Sequence, residues 1–99
     1  MTPSTAPEIL THVDAGVMTI TLNRVARKNS ITADMYSALA DALESANHDV
    51  AVRAVVIQGH ETVFSAGNDI GDFLNNPPAT SEAPVFRFLR GLSSFPKPI

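Results

Sequence analysis

The order of the apolar patterns along the chain limits the fold more than any other feature of the sequence. Residues 17–23 alternate between apolar and polar side chains, which predicts a strand with one buried face. A helical stripe of apolar residues follows within residues 32–46, and a continuous apolar run follows at residues 53–58. A strand, a helix and a strand in this order predict a crossover with parallel pairing, if both strands share a sheet.

The same patterns predict which side chains form the core. Thr32 is expected to cap the helix, and residues 53–58 lack alternation, which predicts a strand covered on both faces. Residues 8–12 and a turn at residues 14–16 complete a hairpin with the alternating strand. The inward side chains of that strand and of the helix are expected to be Met18, Ile20, Leu22, Met35, Leu39, Ala42, Leu43 and Ala46.

Composition excludes several classes of protein. The chain has 99 residues, 44% of them apolar, and a net charge of −3 with scattered Lys and Arg, so no nucleic-acid partner is expected. No apolar run approaches the roughly 20 residues that cross a bilayer, and the first residues lack a secretory signal. With no cysteine, the sequence is compatible with a cytoplasmic location, and we expect no membrane partner.

The two ends of the sequence suggest how the domain is bounded. Residues 1–7 are expected to be a short disordered lead, and residues 8–99 to belong to one domain. The chain closes on Pro96-Lys97-Pro98-Ile99, a pattern that favours extended backbone and looks like the entry to a further strand. We therefore expect residues 8–99 to be the N-terminal part of a larger α/β domain.

The segment with the clearest chemical meaning is Ser65-Ala66-Gly67-Asn68-Asp69, between an apolar strand and a short helical pattern. It has no bulky apolar side chain, so a ligand can approach its backbone closely. A helix that begins at Asn68 or Asp69 leaves its first N–H groups without intrahelical partners. Such groups can hold a carbonyl oxygen as it becomes an oxyanion.

Two segments together resemble a known family. Residues 19–31, which include Thr21-Leu22-Asn23-Arg24 and Lys28-Asn29-Ser30, resemble the first signature of the enoyl-CoA hydratase/isomerase (crotonase) superfamily. Residues 55–59 with Phe64-Ser65-Ala66-Gly67-Asn68-Asp69-Ile70 resemble the second. Val25 stands where the family usually has proline, and Asn68 where hydratases commonly have alanine. The Asn-Asp pair is similar to that of some enoyl-CoA isomerases.

The resemblance implies a fold and a chemistry. The fold is a spiral of ββα units, here its N-terminal part, and the reaction is hydration of a 2-enoyl-CoA or migration of its double bond. By resemblance, the backbone N–H of Asn68 is one of two donors to the thioester oxygen. The second donor and the catalytic carboxylates are expected beyond Ile99.

The resemblance also assigns substrate contacts and partners. Lys28 and Ser30 would line the site of the CoA moiety, while Ala66, Asp69 and Ile70 would surround the thioester and pantetheine end. The partner is an acyl-CoA thioester, and CoA belongs to the substrate, so no metal or redox cofactor is implied. Members of the family usually form trimers or pairs of trimers, so the resemblance implies such an oligomer for the full-length protein.

The sequence is also compatible with other interpretations. The same fold without a carboxylate pair would be a non-catalytic CoA-thioester-binding protein, and an unrelated α/β interaction domain is a further alternative. Asp69 as a helix cap and Arg24 as a structural strand-end residue are simpler interpretations of those two side chains. Phe86, Phe88, Leu89 and Leu92 are expected in the core or a subunit contact, with a cover over the acyl chain as the alternative. Surface positions are expected for His12, His48, His60 and Glu61.

Overall fold

The computed structural model describes residues 7–99, and within them a three-stranded sheet is covered on one side by helices. The expected lead over residues 1–7 lies outside the described residues, apart from Pro7. The elements in chain order are β1 (Ile9–Asp14), β2 (Val17–Leu22), a 3₁₀ turn (Val25–Arg27), α1 (Ala33–His48), β3 (Ala54–Gln58), α2 (Ile70–Asn75) and α3 (Pro84–Ser94).

The sheet has the order β1-β2-β3. β1 and β2 pair antiparallel through a tight turn in which Ala15 and Gly16 have φ of 51° and 82°. Two consecutive positive φ values suit the right-handed twist of a hairpin. β3 pairs parallel with β2, with Val17 opposite Ala54, so the predicted parallel crossover is confirmed.

The core lies between the sheet and α1, as the periodicities predicted. Thr32 caps α1, because its Oγ1 accepts a hydrogen bond of 3.2 Å from the Met35 N–H. Every residue expected to face inward is buried, and Ile20 is 0% exposed. The buried apolar cluster consists of Met18, Ile20, Leu22, Met35, Leu39, Ala42, Leu43, Ala46, Val52 and Val55.

One expectation for the third strand is wrong. The continuous apolar run at residues 53–58 predicted a strand covered on both faces, but only one face is covered. Val55 points into the core and is 2% exposed, whereas its neighbour Val56 is 46% exposed. The side chains of a strand alternate between two faces, and among the described residues only the helix side of the sheet supplies a packed layer.

The helix α3 packs against α1 rather than entering the core. Phe88 contacts the apolar cluster, and the Arg87 guanidinium forms an ion pair of 2.9 Å with Asp41 of α1. Phe86, Leu89 and Leu92 are 37–49% exposed, so of this apolar set only Phe88 packs on the core, and a subunit contact for the others stays a prediction. Across residues 7–99, every helix is too short or too polar to traverse a bilayer.

The last residues tie the end of the chain to the sheet and to α1. The Lys97 ammonium donates to the carbonyls of Ala46 and Asp49, at 2.6 Å and 3.0 Å, and so supplies hydrogen-bond donors to carbonyls at the end of α1. The Pro98 carbonyl accepts a hydrogen bond of 2.9 Å from the Val55 N–H. The backbone at Pro98 therefore lies beside β3, on the edge that β2 does not occupy.

Candidate active site

Two loops that are distant in sequence pair with each other beyond the ends of β2 and β3. The 24–31 loop follows β2, and the 65–69 loop precedes α2. The Ala66 N–H donates to the Lys28 carbonyl at 3.0 Å, and the Ile31 N–H donates to the Gly67 carbonyl at 2.8 Å. The Asp69 N–H donates to the Ile31 carbonyl at 2.9 Å. These three main-chain bonds fix one loop against the other.

This pairing determines the direction in which the Asn68 N–H points. Ile31 and Asn68 form a parallel bridge that uses the groups on either side of Asn68, namely the Gly67 carbonyl and the Asp69 N–H. In extended backbone, neighbouring peptide groups point to opposite sides, so the N–H of Asn68 is directed away from the bridge. That N–H forms no hydrogen bond with another described residue. It is a donor that has main-chain bonds on both sides of it and is itself unpaired within residues 7–99.

Two glycines make this backbone path possible. Gly67 has a φ of 92°, a value that side chains with a Cβ rarely adopt, and it sits immediately before the donor. Gly59 lies at the turn after β3, where an added Cβ would be 2.4 Å from the Phe64 carbonyl oxygen. The backbone at Phe64, just before the 65–69 loop, therefore approaches the end of β3 at a distance that only glycine allows.

A cavity of about 390 Å³ opens next to Asn68, between the start of α1, α2 and the start of α3. Its wall is mostly apolar, with Asn68, Asp69, Asp72, Asn76 and Thr80 among the polar contributors. The apolar and aromatic lining comes from Ile31, Ala33, Tyr36, Phe73, Pro77, Pro78, Ala79, Ala83, Pro84 and Val85. A largely apolar concavity with a few polar groups suits a small organic ligand.

A buried asparagine connects the two loops by hydrogen bonds. Asn29 is 0% exposed, and its Oδ1 accepts a hydrogen bond of 2.7 Å from the Arg24 N–H. Its Nδ2 donates to the Phe64 carbonyl at 3.2 Å. Its own carbonyl accepts from the Ser65 hydroxyl at 2.8 Å, so Ser65 has a structural role. Asn29 adopts a left-handed φ of 55°, which asparagine tolerates better than most residues.

A largely buried ion pair fixes the far end of the 65–69 loop. The Asp69 carboxylate accepts from the Arg24 guanidinium at 2.8 Å and from the Ser30 hydroxyl at 3.3 Å. It also caps α2, since its Oδ1 accepts from the Asp72 N–H at 2.9 Å. The hydrogen bond from the Asp72 N–H, and then that from Arg24, lower the pKa of Asp69 to about 2. Asp69 is therefore ionised near neutral pH.

The candidate residues from the sequence lie around this loop pair, but not all of them line the cavity. Asn68 and Asp69 belong to its wall, although the Asp69 carboxylate is engaged with Arg24 and Ser30. α2 begins at Ile70 with Asp69 as its N-cap, so the predicted start at Asn68 or Asp69 is one or two residues too early. The Asn68 N–H therefore precedes the helix, whereas the sequence predicted it among the first N–H groups of the helix. Ile70 is 74% exposed. The candidates outside the cavity lining are Lys28, Ser30, Ala66 and Ile70.

The sequence patterns do not predict a role for two residues of this region. Tyr36 lies in the cavity wall, and its hydroxyl donates to the Asn68 Oδ1. Asn29 bonds to both loops, through Arg24 and through Ser65. The available signal was its position in Lys28-Asn29-Ser30, because an asparagine in a turn can take left-handed backbone and bond to nearby main chain.

The expected surface residues are exposed, and they do not gather around a metal. His12, His48, His60 and Glu61 all have exposed side chains. Within residues 7–99, no group of three or more histidine, cysteine or acidic side chains has the arrangement of a metal site.

Comparison with known proteins now identifies the family. The model of the enoyl-CoA hydratase/isomerase family matches residues 12–99. The chain is 39% identical to 1,2-epoxyphenylacetyl-CoA isomerase of Escherichia coli, over 92% of this chain and 37% of that protein. It is 33% identical to the peroxisomal enoyl-CoA delta isomerase 3 of Mus musculus, over 93% of this chain and 31% of the relative.

Solved structures agree with this assignment. The structure of OdaA from Pseudomonas aeruginosa superposes with a TM-score of 0.89 and 44% identity, covering 94% of this chain and 38% of that one. The chain therefore belongs to the enoyl-CoA hydratase/isomerase family, and its fold is the N-terminal part of the crotonase-like α/β fold. It spans about a third of the length of these relatives, from 31% to 38%.

Proposed function

We propose that the protein acts on an acyl-CoA or enoyl-CoA thioester and stabilises an enolate-like intermediate through the Asn68 backbone N–H. The observation that carries the proposal is the N–H itself. Within residues 7–99 it has no acceptor, it is held by the bridge to Ile31, and Asn68 lies in the wall of an apolar cavity. A preorganised donor needs little rearrangement when charge develops on the thioester oxygen.

The chemistry fits either of two reactions. When a proton leaves the α-carbon, or a nucleophile adds to the β-carbon of an enoyl group, negative charge moves onto the thioester oxygen. One of the relatives named above is an enoyl-CoA delta isomerase, and this supports migration of the double bond as the reaction. A carboxylate outside the described residues would serve as acid or base, because the Asp69 carboxylate is bound to Arg24.

The remaining contacts are assigned to the CoA moiety. Lys28 has an exposed side chain beside the equally exposed Arg27, and its ammonium would contact a CoA phosphate as a point charge. Ser30 and Ala66 would shape the path of pantetheine, and the exposed Ile70 would contact its apolar part. Asp69 would act through the loop that it anchors.

Several properties of the whole protein are part of the same proposal. CoA enters as part of the substrate, with no metal or redox cofactor, and the protein works in the cytoplasm as a homotrimer or a pair of trimers. If no carboxylate faces the thioester, the alternative is a non-catalytic CoA-thioester-binding protein of the same fold.

A binding and turnover experiment on the full-length protein tests the proposal. We expect saturable binding of butyryl-CoA in a calorimetric titration and turnover of a 2-enoyl-CoA or 3-enoyl-CoA in a spectrophotometric assay. Binding without turnover would favour the non-catalytic alternative. Absence of saturable binding to any acyl-CoA would reject both.

Two substitutions at one position isolate the backbone donor. Asn68→Pro deletes the N–H without removing a hydrogen bond that any described residue makes to it. We expect kcat to fall by roughly 10²- to 10³-fold, the typical loss for one oxyanion donor. Asn68→Ala is the matched control, because it removes the same side chain and keeps the N–H. Equal losses in the two variants would contradict the backbone role.

A further inference from the structure

A side-chain hydrogen bond at the cavity wall joins α1 to the 65–69 loop. Tyr36 belongs to the first turns of α1, and its hydroxyl donates to the side-chain Oδ1 of Asn68. Both residues line the same cavity, although 32 positions separate them in sequence. The contact therefore joins α1 directly to the residue whose backbone N–H is the candidate donor.

The phenol is itself held by its surroundings. Its ring packs on Phe88 of α3 with a centroid distance of 5.7 Å and an angle of 42° between the ring planes. Burial raises the pKa of Tyr36, so the hydroxyl is protonated near neutral pH and available as a donor. The Tyr36 hydroxyl is therefore a donor carried by α1, and its ring is held by α3 rather than by the 65–69 loop.

The peptide group that joins Gly67 to Asn68 determines where the Asn68 N–H points. It also carries the Gly67 carbonyl, which is bonded to the Ile31 N–H. Rotation of this peptide group changes ψ of Gly67 and φ of Asn68, and glycine tolerates a wider range of backbone angles than other residues, so this rotation is the easiest way to lose the donor. A hydrogen bond to the Asn68 side chain restrains the Cα and Cβ of that residue, and so limits the change in φ that the rotation requires.

We propose that Tyr36 is a positioning residue that keeps the Asn68 N–H turned away from the Ile31 bridge, and available to a ligand, through its hydrogen bond to the Asn68 carboxamide. This inference rests on the proposed function, since the donor it positions is the one assigned there to the thioester oxygen. A positioning effect appears mainly in the transition state, where charge on the oxygen is largest. It therefore lowers kcat more than it changes KM.

A double-mutant cycle on the full-length protein tests the coupling. Tyr36→Phe removes the hydroxyl and keeps the ring that packs on Phe88, while Asn68→Ala removes the acceptor and keeps the N–H. We expect each to lower kcat by roughly 3- to 10-fold, the range of one hydrogen bond, with KM changed less than about 2-fold. The double variant should be no slower than the slower single variant, because both remove the same interaction.

Matched variants make the cycle decisive. Asn47→Ala removes an exposed asparagine near the end of α1, and we expect its effect to multiply with that of Tyr36→Phe. Multiplying effects of Tyr36→Phe and Asn68→Ala would overturn the inference. A rise in KM alone in Tyr36→Phe would also overturn it, because the hydroxyl would then be a substrate contact.

A second readout separates this inference from the proposed function. In protein labelled with ¹⁵N-asparagine, the Asn68 backbone resonance is identified by its absence in Asn68→Ala. We expect Tyr36→Phe to shift this resonance and broaden it through exchange between backbone orientations, without any ligand. An unchanged resonance would overturn the positioning role even in an active enzyme. A shifted resonance in a protein that binds no acyl-CoA would support positioning and reject the proposed function.

Discussion

The apolar core beneath the sheet and the pair of loops beside it are stabilised in different ways. In the core, ten buried apolar residues share the contacts between β2, α1 and β3. In the 24–31 and 65–69 loops, single polar atoms carry the structure, such as the Asn29 carboxamide and the Arg24–Asp69 pair. The core should therefore lose stability gradually with substitution, whereas the loops should lose geometry, and with it activity, at individual atoms.

The largest loss of stability is expected for the core. Leu43 is 1% exposed, and its side chain faces both the apolar cluster and the backbone of α3 at Gly91. Leu43→Ala should lower the free energy of unfolding by about 2–5 kcal/mol, because it removes buried methyl groups and leaves a cavity. Urea denaturation measures this, with Leu74→Ala as the control, since Leu74 is 73% exposed. Equal losses would contradict the assignment of Leu43 to the core.

The next effect compares the loops with the core directly. Asn29→Ala leaves the Arg24 N–H and the Phe64 carbonyl without their buried partner, and each such group costs about 1–3 kcal/mol. We expect a loss of about 2–4 kcal/mol in denaturation experiments. Activity, assayed well below the unfolding transition, should fall further than in Leu43→Ala. If both variants kept the same activity there, the contrast between loops and core would be wrong.

Acid should weaken the loops before it weakens the core. The pKa of Asp69 is about 2 in the folded protein, below its usual value of 3.8, so its hydrogen bonds from the Asp72 N–H and from Arg24 contribute stability above about pH 4. That contribution should disappear as the pH falls from about 4 to 2. Asp69→Asn should flatten the dependence of stability on pH in this window, as measured by urea denaturation. Asp41→Asn, an exposed carboxylate on α1, serves as the control, and an equal flattening there would contradict the assignment.

The smallest effect is expected where the two regions join. Thr32 follows the 24–31 loop directly and caps α1 through its hydroxyl. Thr32→Ala should cost about 1 kcal/mol, while Thr32→Ser should retain most of the stability, because serine keeps the capping oxygen. Thermal denaturation distinguishes the two. Indistinguishable variants would show that the start of α1 is held by packing instead.

The core could be predicted from the sequence because its signal is periodic and local. The alternation that includes Ile20 and the helical stripe that includes Leu39 each appear within a few residues, and all the inward positions they predicted are buried. The prediction for Val56 was wrong because an apolar run does not say which face receives a packed layer. That depends on which other elements are present, and periodicity within one strand does not report it.

The site could be predicted only in part. The small residues at 65–69 indicated a backbone donor, and Asp69 was expected to cap a helix, which the hydrogen bond from the Asp72 N–H confirms. The partner of that carboxylate, Arg24, lies 45 positions earlier in the chain, and no local pattern connects the two. The same is true of Tyr36 and Asn68, which come together only because α1 and the 65–69 loop border one cavity.

The sequence by itself determined the elements, the buried stripe of each, the caps and the resemblance to a family, because hydrophobic periodicity and backbone preference act over short distances. The tertiary structure alone decided which way the Asn68 N–H points, since that direction follows from main-chain bonds to Ile31, on a separate loop. A hydrogen bond depends on direction and on fractions of an ångström, and such geometry is settled only when distant segments pack together.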